Sequence, residues 1–102
     1  GKGVPEDDKE AVKWYTLAAK QEYPLAQFNL GRAYRDLGDL VSGYMWYSIA
    51  SLQEHEVAHW ARLFISKDEH GVGLPWRMTP SQIAEAQELS KQCLNSNYKD
   101  CE

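Results

Sequence analysis

Apolar and small residues recur along this chain at helical spacing. Over residues 7–21 they fall at Ala11, Trp14, Tyr15, Ala18 and Ala19, the i, i+3, i+4, i+7, i+8 series of one helix face. Asp7, with Glu10 three residues on, has the form of a capping box that would start this helix. Pro24 suits the first turn of a second helix, whose face carries Ala26, Leu30, Ala33, Tyr34 and Leu37 and which Gly38 would stop. Asp39 is placed to cap a third, bearing Gly43, Trp46, Tyr47, Ala50 and Ser51. A fourth presents Val57, Trp60, Ala61 and Phe64 on one side, with Ile65 beside them. Residues 70–78, HGVGLPWRM, hold two glycines and a proline and read as a loop. Thr79-Pro80-Ser81-Gln82 then combines a cap, a first-turn proline and a box-completing Gln, and opens a fifth helix through Ile83, Ala86, Leu89, Ser90, Cys93 and Leu94. No segment sustains strand alternation, so the pattern predicts an all-α chain.

The helices also repeat. EAVKWYTLAAKQEYPLA from Glu10 aligns with SGYMWYSIASLQEHEVA from Ser42 at an offset of 32 residues. Trp14 meets Trp46, Tyr15 meets Tyr47, Ala18 meets Ala50, Gln21 meets Gln53, Glu22 meets Glu54 and Ala26 meets Ala58. A period of this length signals stacked helical hairpins, each covering an apolar face that its neighbour cannot bury alone. The predicted repeat core is Trp14, Tyr15, Ala18, Ala26, Leu30, Trp46, Tyr47, Ala50 and Ala58, with alanines at close approaches and Trp–Tyr pairs in the wider gaps. Gly31 in mid-helix costs about 1 kcal/mol against Ala, which a close helix crossing would explain.

These motifs resemble the Sel1-like repeats, relatives of the tetratricopeptide repeats. Residues 1–34 carry G-x-G-V, a following Asp, A-x-x-W-Y-x-x-A-A, A-Q and L-G-x-x-Y in family order. Residues 39–69 depart from the pattern: the G-x-G-V turn is missing and Arg62 stands where Leu30 predicts Leu. MTPSQIAEAQELSKQC looks like the closing helix that follows a last repeat. The resemblance implies an α/α superhelix, a solenoid of two helical hairpins plus a C-terminal closing helix. Its parts would be a first repeat at 1–38, a second at 39–69, a loop at 70–78, the closing helix at 79–95 and a tail at 96–102. In this family G-x-G-V joins successive repeats, so a chain opening GKGV reads as part of a longer array. Trp14 or Tyr15 would then be partly uncovered, which favours self-association through that N-terminal face.

Composition narrows the partners. The chain has 102 residues, 43% hydrophobic and 25% charged, as expected of one folded domain. Its formal net charge is −4 and no basic face is visible, so nucleic acid is not an expected partner. No apolar run approaches the roughly 20 residues of a spanning helix, so membrane insertion is not expected either.

One stretch suggests chemistry. His55-Glu56-Val57-Ala58-His59 is H-E-x-x-H, in which two His one helical turn apart hold zinc and Glu56 takes a proton from the metal-bound water. A third ligand is required. His70 is the remaining His, and Glu85 or Glu88 would be carboxylate alternatives. The extended motif would need Gly and His where Arg62 and Ile65 stand. The repeat supplies another explanation, since HEVAH falls on the places of Tyr23 to Gln27 and sets Glu56 in a first helical turn, where a carboxylate suits the helix dipole. The structural reading is preferred, and a zinc metallopeptidase is the alternative. No cofactor is expected.

Cys93 and Cys101 are the only cysteines. They are either two thiols or a disulfide that pins the tail to the last helix. Such a bond would stabilise by about 2.5 kcal/mol and persist in an oxidising compartment. The cysteine-rich branch of the resembling family is secreted and pairs cysteines at similar spacing. A periplasmic or secreted, bacterial origin is therefore favoured over a cytoplasmic one. Trp76 and Arg77 are residue types common at binding hot spots, though Trp76 equally suits packing over the closing helix.

The expected function is a non-catalytic scaffold or adaptor whose curved surface holds a protein or peptide. By analogy, the first helix of each hairpin would offer the binding surface, with Lys13 and Thr16 in one and Met45 and Ser48 in the other. A structural cap of a longer array is a further alternative.

Overall fold

A computed structural model of the chain describes residues 4–67, 71 and 73–101. Its elements are α1 (Val4–Ala19), α2 (Pro24–Asp36), α3 (Leu40–Ser51), α4 (Glu56–Ile65), a 3₁₀ turn (Leu74–Arg77) and α5 (Pro80–Asn95). No strand occurs among the described residues, and the architecture is all-α, built of packed helical hairpins.

Local chemistry sets most of the helix ends. α2 begins on Pro24, whose missing N–H would have had no helical partner in the first turn. It ends where Gly38 takes φ +89°, a left-handed conformation that favours glycine. Asp39 caps α3 by accepting from the Ser42 amide at 3.1 Å. Thr79 and Gln82 complete a reciprocal capping box on α5, with bonds of 3.1 and 2.9 Å. Two expectations need correction. α1 begins at Val4, so Asp7 lies inside the helix rather than at its cap, and Pro5 occupies the first turn that suits it. The segment at 70–78 is not all loop, because Leu74 and Met78 bury themselves beside Tyr44, Tyr47 and Ala86 and fold the chain between them into a 3₁₀ turn.

Packing centres on α3, which touches α2, α4 and α5. A helix contacted on three sides has no solvent face to keep polar. Tyr44, Met45, Trp46, Tyr47, Ile49 and Ala50 are all buried on it. α2 crosses α3 at Gly31 and Gly43. A Cβ on Gly31 would stand 2.9 Å from Tyr47 Cδ1 and 3.1 Å from the Gly43 carbonyl oxygen, so the close approach predicted for this glycine is present. α1 packs on α2.

The C-terminal tail is part of the core. After α5, Asn97 and Tyr98 adopt positive φ and turn the chain back, and the Tyr98 amide donates to the Cys93 carbonyl at 2.8 Å. A disulfide joins Cys93 to Cys101, and both sulfurs lie in a buried cluster with Ala19, Leu30, Trp46 and Tyr98. Gln27, wholly buried, donates to the Ala19 carbonyl at 3.1 Å and to the Tyr98 hydroxyl at 3.3 Å. One side chain on α2 thus ties the end of α1 to the tail.

Two further expectations are overturned. Trp14 is not core: it is 57% exposed, in line with the partly uncovered N-terminal face also expected, because α1 packs on α2 and nothing covers its outer face among the described residues. Its indole N–H donates to Glu10 at 2.7 Å and Lys13 sits over its ring. Met45 is not surface: α5 and the tail close over that side of α3 and leave Met45 2% exposed.

Candidate binding groove

A groove lies between α1 and α2. Ala11 and Tyr15, one turn apart, form one wall, and Asn29, Arg32, Ala33 and Asp36 form the other. The cavity measures about 170 Å³ and opens to solvent. Asp36 is held at its mouth by an ion pair with Arg35 at 3.3 Å.

The corresponding place between α3 and α4 is shut. Tyr47 is the counterpart of Tyr15, and the ring of Phe64 stacks on it at 5.1 Å and 16°. Phe28 packs on Tyr47 at 5.4 Å and on Phe64 at 5.9 Å, and the Arg35 guanidinium lies over Phe64 at 5.4 Å. At the same offset of 32 residues, Ala61 replaces Asn29 and Phe64 replaces Arg32. An aromatic plug in one hairpin is thus a polar groove wall in the other. Burial pushes the Tyr47 hydroxyl up to about 12, and that hydroxyl has no hydrogen-bond partner among the described residues.

The HEVAH segment takes a different form from a zinc helix. His55 is the N-cap of α4, in extended backbone, and its Nδ1 accepts from the Val57 amide at 3.1 Å. Only His59 lies within the helix, exposed and edge-on to Trp60 at 5.5 Å. The shared helix face needed for two ligands is therefore not formed, and one His nitrogen is already engaged as a cap. Glu56 lies exposed in the first turn. Glu85 and Glu88 are exposed on α5, which packs on α3. His70 lies outside the described residues. Among the described residues no three His, Cys, Asp or Glu side chains gather as a metal site.

The guessed binding residues do not converge. Lys13 is exposed over Trp14, whereas Thr16 is half-buried and turns its hydroxyl to the Val12 carbonyl. Ser48 is half-buried, with its Oγ enclosed and without a partner among the described residues. Trp76 is 48% exposed beneath the Lys67 ammonium, 5.1 Å from its ring centre. Sequence reasoning missed Asn29, Arg32 and Asp36. Carrying the repeat alignment past Ala26 would have found the first two, as the positions where polar residues align with Ala61 and Phe64.

Paired helices stacked through small residues, with an open groove between two of them, define an α-helical repeat protein. The Sel1 repeat model matches residues 1–23 and 24–55, together more than half of the chain, and the chain belongs to this family. The second matched unit begins at Pro24 and so couples α2 with α3. No curated protein and no solved structure matches the chain. Sel1 repeats are generally protein-interaction modules and typically non-catalytic. No helix among the described residues is long and apolar enough to cross a membrane.

Proposed function

We propose that the chain is a non-catalytic scaffold or adaptor module that binds a peptide or a partner protein in the groove between α1 and α2. The observation that carries this reading is the groove itself: an open, mostly polar cavity at the place where the neighbouring hairpin is filled by its own Phe64. The capping role of His55 favours this reading over a metallopeptidase. Native mass spectrometry with equimolar zinc tests the choice. No retained metal is expected, and a stoichiometric zinc ion that resists mild chelation would revive the enzyme. The disulfide suits a periplasmic or secreted protein, since such bonds persist in oxidising compartments. Exposed Trp14 and Leu17 supply the surface for self-association. Sedimentation would then show concentration-dependent growth in mass that Trp14→Ser abolishes.

A further inference from the structure

The geometry points to the α1–α2 groove as a slot for one aromatic side chain of a partner peptide, seated on Tyr15 as Phe64 is seated on Tyr47. This rests on the protein-binding reading above and names the ligand for it. The molecule contains its own template. Tyr47 is covered by a ring from the following helix, held between Phe28 and the Arg35 guanidinium. Tyr15 stands at the corresponding place in the first hairpin, but α2 offers Arg32 where α4 offers Phe64. The ring that completes the arrangement is missing from the chain's own helix.

The size of the vacancy agrees with that occupant. An enclosed apolar cavity of about 150 Å³ takes one benzene molecule, and this groove, open and mostly polar in its lining, measures about 170 Å³, which is space enough for one ring. Its chemistry agrees as well. A ring laid on Tyr15 gains an offset aromatic contact, and Arg32 at the rim can stack on a π face as an aliphatic chain would not allow. Asn29 offers both a donor and an acceptor, Arg32 offers donors and Asp36 acceptors. The peptide groups on either side of a bound aromatic residue carry an N–H and a C=O each and would find partners there. A strongly acidic peptide is disfavoured by Asp36 and by the net charge of −4. The occupant is therefore a Phe-, Tyr- or Trp-bearing peptide segment.

The probe is a random twelve-residue peptide library displayed on phage and selected against the wild-type chain, followed by titration of the synthetic peptides. Selected peptides are expected to share one aromatic residue, and replacing it with Ala weakens binding by more than about tenfold, as for a central hot spot. Arg32→Phe rebuilds the plug of the second hairpin inside the chain and is expected to weaken binding as strongly, with an unchanged or higher melting temperature. Arg32→Ala leaves the slot open but removes the rim donors and the stacking guanidinium, and is expected to weaken binding about three- to tenfold, less than either plugged variant. Asn29→Phe fills the slot from the other position on α2 and takes the place of Arg32→Phe if that variant does not fold. Peptides that bind without an aromatic residue, or that bind the plugged variants as they bind wild type, would overturn the slot and leave the interaction module standing. A library that yields no binder overturns the slot as a peptide site, while the module reading then stands or falls on binding of a folded partner protein.

Discussion

Trp14 and Trp46 occupy the same place in the repeat, 32 residues apart, and so do Tyr15 and Tyr47. In the second pair both side chains are wholly buried, whereas Trp14 is 57% exposed and Tyr15 is half-buried beside an open groove. The motif is the same, so the difference comes from the neighbours. α3 has helices on three sides and a disulfide-closed tail above it, while α1 packs on α2. A repeat motif therefore fixes which residues point towards a neighbour, and the neighbours present decide whether they become core or surface. Stability is concentrated around α3, and the surface open to a partner lies between α1 and α2.

The largest expected effect sets the two tryptophans against each other. Trp46→Ala removes a fully buried ring and should cost about 3–5 kcal/mol in urea unfolding, whereas Trp14→Ala should cost under about 1 kcal/mol. Equal costs would mean that α1 is covered in solution and the comparison is broken. The two tyrosines differ next. Tyr47 ionises near 12 when folded and near 10 when unfolded, so the folded state holds its proton more tightly. Its contribution is full below pH 10 and is lost as pH rises through 12, a fall of roughly 2–3 kcal/mol that Tyr47→Phe should abolish and Tyr15→Phe should leave in place. Because the Tyr47 hydroxyl is buried without a partner among the described residues, Tyr47→Phe should be neutral or slightly stabilising at neutral pH.

Reducing the disulfide should lower stability by about 2.5 kcal/mol. Hydrogen exchange would locate the loss: the Tyr98 amide and the end of α5 should lose protection, with α4 amides little changed. The smallest effect concerns the α2–α3 crossing. Gly31→Ala gains helix propensity but pushes Tyr47 and Gly43 of α3 away from α2, and should destabilise by about 1–2 kcal/mol in the same urea assay. A stabilised Gly31→Ala protein would mean that the two helices sit further apart than the packing of Tyr47 indicates.

Much of this was readable residue by residue. Pro24, Asp39 and the Thr79–Gln82 box gave the starts of α2, α3 and α5, because capping is a contact within one turn. The tight crossing at Gly31 was legible because no other role suits a glycine in that helix interior. Met45 was misplaced because α3 is apolar around its whole circumference, so helical periodicity cannot say which side faces outward. Asn29, Arg32 and Asp36 were overlooked because polar residues on a helix look the same whether they line a groove or face open water.

By itself the sequence determined the all-α class, most helix limits, the 32-residue repeat and the Sel1 membership, all of which follow from spacing and from chemistry within a turn or two. Only the tertiary structure decided that α5 lies on α3, that Tyr98 returns to Gln27 across 71 residues of chain, and that one of two matching hairpins stays open. These depend on which surfaces meet at long range, and a local pattern compatible with several neighbours cannot choose among them.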